Sequence, residues 1–157
     1  MLRSSLVMAA TLVLMGGVAS RQPSAQTQPP SDFVGASACQ TCHADVHKAW
    51  SATKHSRAFG RLSPEEAASG KCIKCHVTGT PEMMAAEAAK PSLPGVQCES
   101  CHGAGRAHVE AAKAGDASNV RTKPIVEQTC VDCHNETSPH YKPFFFSAMK
   151  GLVHRQG

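Results

Sequence analysis

The sequence has few aromatic residues and no long hydrophobic segment. Seven of its 157 residues are aromatic: Phe33, Trp50, Phe59, Tyr141, Phe144, Phe145 and Phe146. The longest apolar stretch, residues 6–19, is shorter than the roughly 20 residues that a membrane-spanning helix needs. No run of alternating apolar and polar residues indicates a β-sheet. These absences argue against a retained membrane span, and they leave little aromatic material for an ordinary side-chain core.

The sequence also lacks a concentrated basic region. It has 16 Lys and Arg residues against 12 Asp and Glu residues, a formal net charge of +4 and a pI of about 8.7. The basic residues are scattered rather than grouped into a stripe or a single helix face. Nucleic-acid binding is therefore not expected.

The sequence has no cysteine outside the motif C-x-x-C-H. All eight cysteines belong to four copies of it. This spacing is typical of covalent haem attachment, in which two thiols bond to the porphyrin edge and the next histidine ligates the iron. It predicts four haem c groups. The attachment residues are Cys39, Cys42, Cys72, Cys75, Cys98, Cys101, Cys130 and Cys133, and the proximal iron ligands are His43, His76, His102 and His134.

Two other interpretations of the cysteines are a tetrahedral zinc site and a set of disulfides. Neither accounts for the histidine that follows every cysteine pair. With 9 histidines in 157 residues, four such coincidences have a probability on the order of 10⁻⁵ if positions are random. The haem interpretation is therefore preferred. Eight propionates would offset the excess of basic residues and make the loaded protein near neutral to acidic.

The N-terminus has the pattern of a secretory signal. Arg3 precedes the apolar residues 6–19, and small residues around Ser20 provide a cleavage site. The alternative of a retained anchor is disfavoured by length, and the lack of a cysteine before Cys39 excludes a lipoprotein anchor. We predict a signal peptide over residues 1–20, a flexible leader over 21–37 and a tetrahaem domain over 38–157. The expected location is the periplasm.

The expected fold is mainly α: a small, irregular, haem-dominated arrangement of short helices and long loops that requires its cofactors to fold. Helix-forming residues occupy positions 44–61. A capping box at 63–66 with Pro64 at the first helical position indicates a second helix. Further helices are predicted over 80–91, 107–114 and 144–154.

Five histidines remain as candidates for the distal side of an iron: His47, His55, His108, His140 and His154. On a continuous helix over 43–55, His55 would lie about 18 Å along the axis from His43 and about 120° around it. His55 therefore cannot ligate the same iron as His43, and both it and His108 are better donors to neighbouring haems. His47 is interpreted as a surface or propionate-contacting residue. His140 is an alternative to His154 as an iron ligand.

The residues around three of the motifs resemble a known family. The stretch 39–62, the segment 72–77 and above all Gly-Val-Gln-Cys-Glu-Ser-Cys-His-Gly-Ala-Gly over 95–105 are similar to c-554-type multihaem cytochromes. The resemblance implies closely stacked haems in a helical fold. It further implies that His108 ligates the haem of His43, that His55 ligates the haem of His102, that His154 ligates the haem of His134, and that the haem of His76 is five-coordinate.

The expected function is electron transfer between redox partner proteins whose identities the sequence does not provide. The alternative is a small nitrogen-oxide reductase that uses an open iron at His76, for which Met83 and Met84 are the other candidate ligands. A homo-oligomer or a subunit of a larger redox complex is also compatible with the sequence. The run 144–146 is interpreted as haem packing or an exposed docking surface, and Glu99 as a local cap.

Overall fold

The structure, a computed structural model, describes residues 32–154. Within these residues the chain forms short helices joined by long irregular segments. The α-helices are α1 (Ala36–Gln40), α2 (Ala44–Ser51), α3 (Pro64–Ala68), α4 (Gly70–His76), α5 (Pro81–Ala86), α6 (Cys98–His102), α7 (Arg106–Lys113), α8 (Glu127–Val131) and α9 (Phe146–Met149), with 3-10 turns at Phe59–Arg61 and Lys150–Leu152. The mainly α prediction is confirmed. The predicted signal peptide lies outside the described residues.

Several helix boundaries follow local signals in the sequence. The Ser63 hydroxyl accepts a bond from the Glu66 amide at 3.2 Å, and the Glu66 carboxylate accepts one from the Ser63 amide at 2.8 Å. This reciprocal capping box starts α3 as predicted. Thr80 caps α5 by accepting a bond from the Met83 amide at 3.3 Å. Beyond α7, Gly115 adopts φ +81°, a conformation that favours glycine.

The helix predicted over 44–61 is wrong beyond Ser51. The Thr53 hydroxyl donates to the Trp50 carbonyl at 2.7 Å, and the Ser56 hydroxyl donates to the Ser51 carbonyl at 2.8 Å. Hydroxyl side chains that bond to nearby backbone groups compete with helix continuation. The chain therefore turns before His55, and the premise of a continuous helix from 43 to 55 does not hold.

Two other predicted helices are shorter than expected. The segment predicted to be helical up to Pro91 is α-helical only over Pro81–Ala86. The last predicted helix, 144–154, begins at Phe146 and changes to a 3-10 turn after Met149. Conversely, short helices around the haem motifs were not predicted.

The folded part of the chain begins before the predicted boundary at residue 38. The amides of Val34 and Gly35 donate to the Glu99 carboxylate, and the Ala36 amide donates to the Gln97 side chain at 2.7 Å. Residues 34–37, which were assigned to the flexible leader, are therefore held against the third motif. The rest of the predicted leader, up to residue 31, lies outside the described residues.

The protein core is small. Among the described residues the buried hydrophobic side chains are Ala36, Ala58, Ala67, Ile73 and Val77. Next to them Thr78 is buried as well, and its hydroxyl donates to the Gly95 carbonyl and accepts from the Gln97 amide, both at 2.8 Å. The strand content of residues 32–154 is a single isolated bridge between Val77 and Pro94. So little buried apolar volume agrees with a fold built around cofactors.

No helix within residues 32–154 is long and apolar enough to cross a membrane.

Candidate haem-binding sites

Each C-x-x-C-H motif forms approximately one helical turn. The second and third motifs lie entirely in α4 and α6. In the first and fourth motifs the histidine amide donates to the carbonyl of the first cysteine at 2.9 Å, which closes the same turn at His43 and His134. Residues separated by three and four positions in a helical turn project from one side. The two sulfurs and the imidazole of each motif therefore converge on one face.

The structure does not favour the zinc and disulfide interpretations. No disulfide joins any two of the eight cysteines. Within residues 32–154 no three His, Cys, Asp or Glu side chains converge in a way that could hold a metal ion. The cysteine pairs are instead available for attachment to a porphyrin, one pair per motif.

The first motif has a second histidine facing its own. The rings of His43 and His108 have centroids 6.4 Å apart and planes 18° apart. A bond from an imidazole nitrogen to a metal is about 2 Å, and the ring centre lies about 1 Å beyond the nitrogen, so two imidazoles on opposite sides of one metal have centres about 6 Å apart. The gap between His43 and His108 therefore matches a single iron between them.

Two further histidine pairs have the same separation. The rings of His102 and His154 are 6.3 Å apart at 21°, and those of His55 and His134 are 5.9 Å apart at 66°. The resemblance implied His55 for the haem of His102 and His154 for the haem of His134, whereas in the structure His55 faces His134 and His154 faces His102. The turn after Ser51 carries His55 away from α2, and its carbonyl accepts from the Val96 amide at 2.9 Å.

Two of the ring orientations are set by backbone carbonyls. The Nδ1 atom of His108 lies 2.7 Å from the Val120 carbonyl, and that of His76 lies 2.7 Å from the Ala58 carbonyl. A carbonyl can only accept, so Nδ1 carries the proton and Nε2 keeps its lone pair for a metal. Both histidines can therefore bind a metal through Nε2.

Burial keeps two other candidate ligands neutral. Burial, and next the charge of His134, lower the pKa of His55. Burial, followed by the charges of His154 and His43, lowers the pKa of His102. A neutral imidazole is the form that binds iron. His134, which lowers the pKa of His55, faces the His55 ring, and His154, which lowers the pKa of His102, faces the His102 ring. His43 belongs to the adjacent site.

His76 differs from the other proximal histidines. Within residues 32–154 no histidine ring stacks against it. Met83, one of the candidate ligands, lies against Gly79. Its Cβ and Cε are 3.4 Å from the position that a Cβ at Gly79 would occupy. The distal side of the haem of His76 therefore has no histidine in the described part of the chain.

His47 and His140 are not placed opposite any motif histidine. The His47 ring lies 5.3 Å from the Trp50 ring, whose Nε1 donates to the Val96 carbonyl at 2.9 Å. His140 is exposed in the turn before α9. In the described residues, His154 rather than His140 faces a proximal ligand.

The aromatic run after His140 is divided between three environments. Phe144 stacks on His134 with ring centroids 4.9 Å apart, whereas Phe145 is 64% exposed. The Lys150 ammonium lies 5.2 Å from the Phe146 ring centroid. Of the three residues, Phe144 is the one in contact with a proximal histidine.

A cavity of about 540 Å³ connects the first and third sites. Its lining includes the cysteines and histidines of both motifs, together with His108 and His154. The volume is within the range of about 300–1,000 Å³ that is usual for cofactor pockets. The residues present are therefore suitable for porphyrins held between the paired histidines.

The thiols show which sites are neighbours. A hydrogen bond with Cys98, together with burial, raises the pKa of the Cys39 thiol, and a hydrogen bond with Cys75 does the same for Cys133. Burial, followed by the charge of Cys130, raises the pKa of Cys101. Together with the cavity that both motifs line and the packing of α1 on α6, these influences place the first site next to the third.

Glu99 has a larger role than the local cap that the sequence suggested. It is only 4% exposed, and its carboxylate accepts bonds from Val34 and Gly35, more than sixty residues earlier in the chain. An acidic residue inside the motif is visible in the sequence. The sequence does not show which distant amides this residue binds.

The family model described as cytochrome c554 and c-prime matches residues 38–103. Cytochrome c-554 of Nitrosomonas europaea is 30% identical over an alignment of 166 positions that covers 85% of this chain and 68% of that protein. The chain belongs to the cytochrome c-554 family. Its four motifs bind haem c covalently, and it is a multihaem cytochrome of electron transport. The reduced-state structure of cytochrome c554 from the same organism aligns over 78% of each chain, with a TM-score of 0.47 and 26% identity.

Proposed function

We propose that this cytochrome is a periplasmic tetrahaem carrier that moves electrons between redox partner proteins, with three irons ligated by two histidines each and an open iron at His76. The observation that supports this most directly is the separation of three histidine pairs, 5.9 to 6.4 Å. The periplasmic location rests on the signal pattern of residues 1–20 and on the export that covalent haem attachment requires.

The chain contributes ligands, spacing and orientation. When bound, each haem supplies one site for one-electron transfer. The paired histidines saturate three irons and thereby restrict their chemistry to electron exchange. The shared cavity brings the sites of His43 and His102 together, and the influence of Cys130 on Cys101 and of Cys75 on Cys133 supports a continuous series of four sites.

The second candidate, reduction of a small nitrogen oxide at the open iron, is favoured by one observation: within residues 32–154, no histidine ring faces His76. Such chemistry also needs proton donors. A bond from Thr80 lowers the pKa of Glu82, and bonds from Ser92 lower that of Glu87. Both carboxyls are therefore ionised at neutral pH and are poor acids, which supports the carrier over the reductase.

The test is a count of spin states and of open irons in the purified holoprotein. We expect electron paramagnetic resonance of the oxidised protein to show three low-spin irons and one high-spin iron. Carbon monoxide should change the absorption of one reduced haem in four. If carbon monoxide leaves the spectrum unchanged, the proposal of an open iron fails and the reductase alternative fails with it. Rapid steady-state reduction of nitric oxide or nitrite would contradict the carrier.

A further inference from the structure

Glu99 lies at the second position of the third motif, between the two cysteines that attach a haem. Its Oε1 accepts from the Val34 amide at 2.9 Å and from the Gly105 amide at 2.7 Å. Its Oε2 accepts from the Gly35 amide at 2.8 Å and from the Val34 amide at 3.1 Å. Three backbone amides from two separate segments thus converge on one carboxylate.

The two glycines that bind Glu99 begin the helices that lead to both ligands of another haem. Gly35 is the N-cap of α1, which carries Cys39 and is followed by His43. Gly105 is the N-cap of α7, which carries His108. Since His43 and His108 face each other across one iron position, one side chain of the third motif holds the starts of both supporting helices.

The space around the carboxylate requires these glycines. A side-chain carbon at Gly105 would lie 3.0 Å from Glu99 Oε1. Gly35 has φ +81°, and a side-chain carbon there would lie 2.9 Å from Leu93 Cδ2. A side chain would therefore be crowded at both helix starts, at Gly105 against Glu99 and at Gly35 against Leu93.

The charge of Glu99 acts on the same pair of sites. The first and third motifs are adjacent, because their cysteines and histidines line one cavity and α1 packs against α6. A buried negative charge near an iron stabilises its oxidised state more than its reduced state, because the field is weakly screened in a low-dielectric interior. Glu99 places such a charge between the two attachment cysteines of the third motif and beside the start of α1.

We propose that Glu99 is a positioning residue that sets the axial geometry of the His43 haem and lowers the reduction potentials of the haems of His43 and His102. The geometric half rests on the ligation of the His43 haem by His108 proposed above. Glu99 acts through the helix starts that its carboxylate binds and through the field of its charge.

The test uses the holoprotein carrying Glu99→Gln, which keeps the shape but removes the charge. A glutamine has one acceptor oxygen, so at least one of the three amides loses its partner. We expect four haems by intact mass, an upward shift in the potentials of two haems of the four, and a changed low-spin resonance for the His43–His108 pair. His108→Ala identifies that resonance by removing it.

The control is Glu110→Gln, which removes the same charge from an exposed position on α7, where the side chain is 66% accessible. Its potentials and resonances should match the wild type. If Glu99→Gln gives the same potentials and resonances as Glu110→Gln, the proposal is overturned. If His108→Ala removes no low-spin resonance, the proposed ligation fails and the geometric half fails with it, while the shift of potentials still tests the charge.

A second variant keeps the proposal testable if Glu99→Gln fails to retain four haems. Gly105→Ala preserves the charge but forces the start of α7 away from Glu99. We expect the His43–His108 resonance to change, with a smaller shift in potential than the loss of charge produces. An unchanged resonance in this variant would overturn the positioning role.

Discussion

At the scale of single residues, the distal histidines are the side chains that determine which irons are six-coordinate. The proximal histidines are adjacent to their cysteines, whereas each distal histidine comes from a different part of the chain. His55 faces His134 across 79 positions of sequence, and His154 faces His102 across 52. These separations explain why the resemblance supplied candidate ligands but exchanged two partners.

Replacing His55 with alanine should convert one low-spin haem, that of His134, to high spin. The imidazole that faces His134 at 5.9 Å is removed, and no other histidine ring in residues 32–154 is paired with it. The measurement is electron paramagnetic resonance of the oxidised holoprotein. His47→Ala serves as the control, since His47 faces Trp50 rather than a motif histidine, and it should keep every low-spin signal.

A variant of Phe144 identifies which haem His55 serves. Phe144 stacks on His134 at 4.9 Å, so Phe144→Ala should shift the resonance of that haem alone. The resonance that Phe144→Ala shifts should be the one that His55→Ala removes. If His154→Ala removes it instead, the pairing of His55 with His134 is wrong and the pairing that the resemblance implied is right.

At the scale of secondary structure, the short helices serve mainly to orient ligands. Helix α3 packs against α4, the helix of the second motif, and the 3-10 turn before α3 follows Ala58, whose carbonyl binds His76. The capping box of α3 therefore stabilises a segment next to the site of His76. Helices of five residues have little intrinsic stability, so their caps and contacts decide whether they form.

Ser63→Ala should destabilise the holoprotein by about 1 kcal/mol, the usual cost of losing an N-cap side chain. The hydroxyl that accepts the Glu66 amide is lost, and half of the reciprocal box is lost with it. Thermal or denaturant unfolding followed by circular dichroism measures the change. Ser63→Asp retains a capping oxygen and should remain close to the wild type; equal loss in both variants would show that the box does not contribute.

At the scale of the whole molecule, stability depends on the cofactors. The buried hydrophobic residues of the described chain are an isoleucine, a valine and three alanines. That much apolar burial is far below what offsets the conformational entropy of more than a hundred residues. The four porphyrins provide the missing apolar surface, and the thioether bonds tie it to the chain.

The intact mass of the mature protein should exceed that of the polypeptide from about residue 21 by four haems, with no cysteine available for alkylation. The same chain produced without haem attachment should show a disordered far-ultraviolet circular dichroism spectrum, because its core is absent. Two or three haems by mass would contradict the tetrahaem assignment. A cooperatively folded apoprotein would contradict the cofactor-dependent core.

The sequence was sufficient for features that depend on neighbouring residues. Attachment cysteines and proximal histidines lie within five consecutive positions, so their chemistry is visible without a fold. The capping box at Ser63 is equally local and was predicted correctly, as was the start of the helix at Thr80 and Pro81. The end of α2 was missed because Thr53 and Ser56 bond to carbonyls that a helix would otherwise use.

Only the tertiary structure decided the features that join distant segments. His55 and His154 are matched to their partners by the path of the backbone, and no local pattern encodes that path. Glu99 binds the amides of Val34 and Gly35, more than sixty residues earlier, because α1 begins beside the third motif. Short sequence motifs thus determine where haem attaches to this cytochrome. The pairing of axial ligands and the relative positions of the haems depend on tertiary packing.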